Sequence, residues 1–519
     1  MALGNYDVVV IGSGVGGLGV GAILASREGK KVLVAEKESF IGGRILSYYG
    51  EDNKLWIIDK PYTYKEFTHA LGSTGTWIAK SEPDFENVVK NGMFNGYLLD
   101  GGHGSFWGDR GRISFLMKWL GKPIYMKVNK GFAVIDNKDQ TKWYQIEHGQ
   151  PYEWMSDGGK ATRKLLREMA TWSFEQIEQA RGSLGDFLRE RDCDEESYLF
   201  IRNLAGSQTA LANPDHMHLR DFLKYQAIAK DIQMDLISGS VATMDGIGLL
   251  DIAVQLRDLI QEHGGDVITE SPVEEVIIEN KQSKGVRIRT SKGVETVEAP
   301  VVICNLPPKD AFKVIPERHF TADFVKEVKE KYYIPGLLTG SYFFKKDYKK
   351  DYLRLKGIDP RSFIFLPGVS KKKGLESLDF VMCSLPSIAN QSPRGINGFL
   401  FSIPLLDHEM RDKNRVDTAI NEAERFMTDN WPNWRKELLF QVWTAAAEAF
   451  GHWRPLGAER PDVKSPWVDG LYFVGDQYGE KMWGGGIDGA ALSAALCADV
   501  ISGKDYEVQM FPPYHRSSW

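Results

Sequence analysis

The chain has 519 residues, 43% hydrophobic and 26% charged, the balance of a globular protein with room for at least two domains. A net charge of −6 argues against a nucleic-acid partner, and no run of 18 apolar residues marks a transmembrane helix. The first strand-like run begins within about seven residues, which leaves no room for a signal peptide, and the four cysteines lack C-x-x-C or zinc spacing, so reduced thiols, a cytoplasmic location and no metal are expected.

The apolar run Val8 to Ile11 predicts a buried parallel strand. Gly12, Gly14 and Gly17 follow in G-x-G-x-x-G register, then small and apolar residues from Leu18 to Ala25 predict a helix. A second strand, Val32 to Ala35, ends at Glu36, 24 residues after Gly12. This is a complete βαβ dinucleotide-binding unit. Gly12 permits the tight turn, Gly14 lets a pyrophosphate approach the backbone, and Gly17 lets the helix pack on the strand. The helix N-terminus offers free N–H groups and a positive dipole end. Glu36 is placed to accept ribose hydroxyls and argues against NADP, whose phosphate it would repel.

Phe40 to Arg44 reads F-I-G-G-R. The stretch 45–96 is rich in aromatics, among them Trp56, Tyr62, Tyr64, Phe67, Trp77 and Phe85, and reads as a packed excursion, with a lid or partner surface as alternatives. Leu98-Leu99-Asp100-Gly101-Gly102-His103 follows, with His103 read as structural. Residues 105–240 read as mostly helical, with patterns at Lys164 to Ala180 and Ser183 to Arg191. Leu249 to Glu262 predicts another helix, Ser271 to Val276 a further segment, and Val286 to Thr290, Gly293 to Ala299 and Val301 to Cys304 predict strands. Residues 310–455 mix helices (Asp323 to Lys331, Val416 to Trp431) with strands (Leu337 to Phe344, Ser362 to Leu366, Phe380 to Leu385, Gly398 to Pro404). The basic-aromatic stretch Phe343 to Lys356 and Lys371 to Lys373 read as an exposed surface, with peripheral membrane contact as the alternative. Near the C-terminus, Gly470 to Asp476 is a strand ending in Gly475-Asp476, and Gly484-Gly485-Gly486-Ile487-Asp488-Gly489-Ala490 opens a small-residue helix, Ala491 to Val500.

The two ends together resemble the flavoproteins of the phytoene desaturase, carotenoid isomerase and amine oxidase superfamily. The resemblance rests on the βαβ unit, the G-G-R segment, the Asp100 strand, residues 243–306 and the Gly475-Asp476 signature. It implies an α/β fold with a discontinuous Rossmann-like FAD-binding domain (1–104, 241–309 and 456–519) and an α+β substrate domain (105–240 and 310–455). It implies noncovalent FAD held by Gly12, Gly14, Gly17, Glu36, Gly43, Arg44, a backbone contact at Val273, Gly475, Asp476, Gly486 and Ile487. Arg44 would face the pyrophosphate, Asp476 the ribityl chain, and the helix after it the pyrimidine end of the flavin.

Asp488, Tyr478 and Glu480 stand in the loop expected beside the flavin and are the candidate acid/base residues, although Asp488 reads equally as a helix cap. Amine oxidases use a lysine-held water and an aromatic cage. Lys345 and Lys346 match that lysine only by rough position, and Trp443 and Trp453 could serve a cage or a core. The C-terminal motif looks closer to the desaturase, isomerase and retinol saturase branch. The expected activity is therefore FAD-dependent desaturation, reduction or isomerisation at carbon–carbon bonds of an apolar, isoprenoid-like small molecule. An amine oxidase, or a flavin-binding subunit without turnover, are the alternatives.

Overall fold

The computed structural model describes residues 4–511 except 102–107, 130, 148–149, 210, 212, 232–241, 333–334, 346–347, 367–379, 384–389, 450–455, 457–459 and 480–485. At its centre are five parallel strands in the order Asp266–Ile268, Val32–Ala35, Val8–Ile11, Val301–Cys304, Leu471–Phe473. Their Val- and Ile-rich runs are buried on both faces, as a parallel sheet requires. Helices Val15–Glu28, Leu250–Glu262 and Gly486–Ser502 cover one face. An antiparallel meander, Val273–Glu279, Gln282–Thr290 and Gly293–Glu298, covers the other, packing Val276, Val286 and Val297 near Val9 and Leu33. Chain segments from both ends and the middle thus build one Rossmann-like layer.

The excursion after Arg44 folds as a packed element. Ser47–Glu51, Lys54–Ile57 and Lys60–Tyr62 form a small antiparallel sheet with Leu98–Asp100. Phe67 and Phe85 are fully buried, and Tyr48, Phe94, Tyr97, Phe343 and Phe440 join them through ring contacts of 4.7–6.1 Å. The packed reading therefore holds over the lid and the partner surface. One strand departs from the expected boundary at 104: Thr76–Glu82 pairs with Leu438–Ala446 and becomes the edge of the second large sheet.

That second sheet has eight strands, ordered Trp143–Gln145, Phe132–Ile135, Phe363–Leu366, Phe380–Cys383, Asn397–Leu406, Pro335–Phe344, Leu438–Ala446, Thr76–Glu82. Its outer face (Leu338, Tyr342, Phe401, Ile403, Trp443) packs on the helix Lys413–Asn430. Its inner face sends Phe343, Phe440 and Val442 into the same core as Val10, Val15 and Leu46. The helices Lys160–Thr171, Phe174–Gln179, Leu184–Glu190, Glu195–Thr209 and Leu219–Asp231 form a block whose own core includes Leu188, Ile201 and Leu223. The single helix expected over Lys164 to Ala180 breaks at Ser173, which closes a reciprocal capping box with Gln176. Among the described residues no helix is long and apolar enough to cross a membrane.

A buried carboxylate ties the edge strand to the helix. Glu424 accepts from Lys80 Nζ at 2.6 Å, Arg435 Nη2 at 2.7 Å and Gln441 Nε2 at 3.0 Å, while Arg435 Nη1 reaches Glu82 at 2.8 Å. Removing the acceptor leaves two cations and an amide without it. Glu424→Ala should cost about 2 kcal/mol of stability in denaturant unfolding of the flavin-loaded protein. A loss below about 0.5 kcal/mol, the scale of an exposed ion pair, would show that solvent replaces the network.

Candidate cofactor and active site

The glycine turn has the backbone its sequence requires. Gly12 sits at φ +92°, and a Cβ on Gly17 would lie 2.3 Å from the Gly12 carbonyl oxygen. The helix Val15–Glu28 starts at Gly14 with no side-chain cap and no acidic residue in its first turn. Its N–H groups and dipole are thus left to an anion. Gly14 is needed for a further reason. A Cβ there would meet the Asn305 amide at 2.7 Å. The Asn305 side chain is oriented to accept the Gly14 N–H and donate to the Val474 carbonyl, each at 3.1 Å. Asn305 follows the strand Val301–Cys304, and no motif in the sequence marked it.

Glu36 ends the second strand, 6% exposed. Its Oε2 accepts the Ser13 N–H at 2.9 Å and the Ser13 hydroxyl at 2.6 Å, and its Oε1 accepts the Glu38 N–H at 3.0 Å. It braces the glycine turn, so a ribose hydroxyl would use its remaining lone pairs. Its carbonyl accepts the Ser271 N–H at 2.8 Å, which brings the start of the strand Val273–Glu279 beside it. Gly42 and Gly43 take φ of +100° and +58°, and Gly42 bridges to Gly14, so the G-G-R segment lies directly against the glycine turn.

The C-terminal signature closes on the same place. Asp476, 7% exposed, accepts from Arg44 Nη2 at 3.3 Å on one oxygen and from the Gly486 N–H at 3.1 Å on the other. Gly475, at φ +138°, donates to the Ser493 hydroxyl at 3.1 Å. Arg460, buried, donates to the Asp476 carbonyl at 3.0 Å and faces Asp221 of the helical block at 3.8 Å. Ile487 follows Gly486 in the first turn of the last long helix and packs against the core under it. The amide oxygen of Gln477 is buried without a partner in this same turn. A glycine cradle, an uncapped helix start, a guanidinium and an orphaned amide oxygen together fit a dinucleotide with a charged linker and a polar ring edge.

Two of the three expected acid/base residues, Asp488 and Tyr478, lie among the described residues. The Asp488 carboxylate accepts the Ile113 N–H at 2.9 Å, in the first turn of the helix Arg112–Trp119, whose own cap is Gly111. It caps a neighbouring helix. Tyr478 is 2% exposed, donates to the Leu306 carbonyl at 2.9 Å and stacks on Phe473 at 5.1 Å. Burial pushes its pKa well above the ordinary phenol value, which keeps the hydroxyl protonated on the Leu306 carbonyl. Glu480, His103, Lys346, Trp453, Trp483 and Lys371 to Lys373 lie outside the described residues. Trp443 sits on the outer face of the eight-stranded sheet, bonded to the Tyr342 hydroxyl at 3.0 Å and stacked on Phe401, so it is core and not cage.

A titratable group that the sequence did not mark stands nearer. Glu448 lies just past the strand Leu438–Ala446, half-buried, with Arg411 at 3.9 Å. Burial and the neighbouring Asp310 raise its pKa, while Arg44 pulls it down. That coupling places it within electrostatic reach of the Arg44–Asp476 pair.

Three outcomes check this geometry. Gly14→Val should yield folded protein with no bound FAD, because the new side chain would displace Asn305. Asp476→Ala should weaken FAD by about 1.5–3 kcal/mol, a lost charge-assisted hydrogen bond, in flavin-release titrations. In wild type, denaturation should release all FAD into the supernatant, since binding is expected to be noncovalent. Unchanged flavin content in both variants would place the cofactor elsewhere.

Comparison with known proteins agrees with the geometry. A family model for flavin-containing amine oxidoreductases matches residues 16–502. No curated protein matches the sequence significantly. Among solved structures, an oxidoreductase from Methanosarcina mazei superposes with a TM-score of 0.64 at 15% identity, covering 96% of this chain and 100% of that one. A protein from Pyrococcus furiosus gives 0.62 at 18% identity over 99% of both chains. Cyclohexylamine oxidase from Brevibacterium oxydans gives 0.62 at 14% identity, covering 96% of this chain and 100% of that one. These likenesses carry the fold, and the family match carries the rest: the chain belongs to the flavin-containing amine oxidoreductases, with FAD as its cofactor.

Proposed function

We propose that this oxidoreductase acts on a carbon–carbon bond of a largely apolar small molecule, by desaturation, reduction or isomerisation. The observation that carries the reading is the inner face of the eight-stranded sheet. Its central strands present Leu337, Thr339, Ser341 and Phe343, then Leu400, Ser402 and Pro404, then Phe440, Val442, Thr444 and Ala446. None of these is lysine. Lys345 is exposed just beyond the strand Pro335–Phe344. A face of apolar and neutral hydroxyl groups suits an uncharged substrate and offers no cation to hold a water.

FAD supplies hydride or electron transfer when bound. The chain's own residues supply the setting. Arg44 and the uncapped helix start offset the linker charge. The two sheets and the helical block exclude water from the reacting atoms. Burial, with Asp310 beside it, raises the pKa of Glu448 above the ordinary carboxylate value, which suits a group that holds and passes a proton. The amine-oxidase reading keeps support from the family match and from the neighbouring cyclohexylamine oxidase fold.

An anaerobic titration of the flavin with paired alkenes, their saturated counterparts and amines should show reduction or a product change with the carbon–carbon substrates alone. Amine turnover with stoichiometric peroxide, and none on any alkene pair, would overturn the proposal. No response to either class would favour a binding subunit. Glu448→Gln should lower turnover about 100-fold, the scale of a lost general acid. The same substitution has a stability signature. A raised folded pKa means that Glu448 favours folding at low pH, and that this contribution is lost as pH rises through the folded value. The variant should therefore match wild type near pH 4 and melt higher than it at pH 8. An unchanged difference across that range would show that Glu448 does not titrate where its burial places it.

A further inference from the structure

Three hydroxyls lie side by side across the middle of the inner face. Thr339 is directly opposite Ser402 on one neighbouring strand and Thr444 on the other. Directly opposed residues share a face, with Cβ atoms about 4.5–5.5 Å apart. All three are buried, at 4%, 3% and 5% exposure for Ser402, Thr339 and Thr444. Among the described residues the Thr339 hydroxyl has no hydrogen-bond partner. The Tyr48 hydroxyl, fully buried, stands against Thr444. The orphaned hydroxyl is thus the central one of the row, Thr339.

Such groups are costly to bury unmatched, and valine would fill the space of Thr339 without the cost. The row also has a definite place. On the strand Leu438–Ala446, Phe440 and Val442 are packed into the common core on one side of Thr444. Glu448, coupled to Arg44, lies four residues along on the other side, roughly 13 Å of strand away. The hydroxyls therefore sit between the packed end of the sheet and the cofactor-binding residues.

We propose that Ser402, Thr339 and Thr444 form a specificity site for one neutral hydrogen-bonding group, a hydroxyl or carbonyl, on an otherwise apolar substrate. This rests on the reading of the inner face as the substrate wall. A hydroxyl row both donates and accepts, so it takes an alcohol or a ketone equally. It carries no charge, so an ammonium or carboxylate placed there would be desolvated without compensation.

The test uses FAD-loaded enzyme and four isosteric probes: cyclohexanol, cyclohexanone, cyclohexane and cyclohexylamine. Binding is read by perturbation of the oxidised flavin spectrum. Cyclohexanol and cyclohexanone should bind about tenfold tighter than cyclohexane, the loss expected when buried polar groups lack their partner. Thr339→Val should erase that preference, and Thr339→Ser should keep it. Thr339→Val should also melt at or above wild type, because no internal hydrogen bond is lost. A lower melting temperature would overturn the proposal by revealing an internal partner. So would an alcohol-to-alkane ratio unchanged by valine, or tightest binding of the protonated amine. These outcomes concern recognition at the row. They stand apart from the peroxide assay, which decides between amine and carbon–carbon chemistry.

Discussion

The Asp476 carboxylate is the point on which the site depends. One oxygen faces Arg44 and the other accepts the Gly486 N–H, so residues more than 430 positions apart in sequence are held within one cluster. The geometry also sets the last long helix, because Gly486 is its first residue. Arg460 adds a bond to the Asp476 carbonyl and faces Asp221 on the helical block. The cofactor site and the helical block are thereby connected through buried polar contacts, which hold geometry more strictly than apolar packing does.

The second constraint is the difference between the two faces of the eight-stranded sheet. Strand alternation sends Leu338, Tyr342 and Trp443 outward onto the helix Lys413–Asn430 and leaves Thr339, Ser402 and Thr444 inward. A one-residue slip would exchange these sets. Gly340 helps to fix the register, since a Cβ there would lie 2.6 Å from the Trp443 ring. The large tryptophan thus belongs to the scaffold, and the small hydroxyl residues on the neighbouring positions face the opposite side of the sheet.

Strands and helices were legible where local pattern and burial coincide. Val8–Ile11, Val32–Ala35 and Val301–Cys304 are short, apolar and bounded by turn signals, and they form as expected. The glycine turn, Arg44 and Asp476 were legible because each residue type answers a backbone or charge requirement that sequence states directly. Asn305 was not, because a lone polar residue after a strand has no signature until Gly14 and Val474 come to it. The hydroxyl row was invisible for the same reason: its members are 339, 402 and 444, united only by strand pairing. The break at Ser173 was available in principle, since S-x-x-Q before an apolar run is a capping box, but the surrounding helical period masked it.

The fate of the carboxylates shows why position along a motif does not assign catalytic roles. Glu36, Asp476 and Asp488 all occupy motif positions, and all have their oxygens engaged by N–H donors or a cation. A carboxylate whose oxygens accept such bonds serves as structure or as a ligand-orienting group. Proton transfer needs the opposite: a carboxyl whose charged form is penalised and whose oxygens are not committed. Glu448 meets that condition, since burial dominates its environment and its cation, Arg411, stands at 3.9 Å, too far for a hydrogen bond. It lies outside both sequence signatures, at the end of a strand whose other inward residues contact the core or form the hydroxyl row. Glu448 is thus separated on the chain from the dinucleotide motifs and stands at the end of a strand of the eight-stranded sheet, where enzymes of one fold are free to differ.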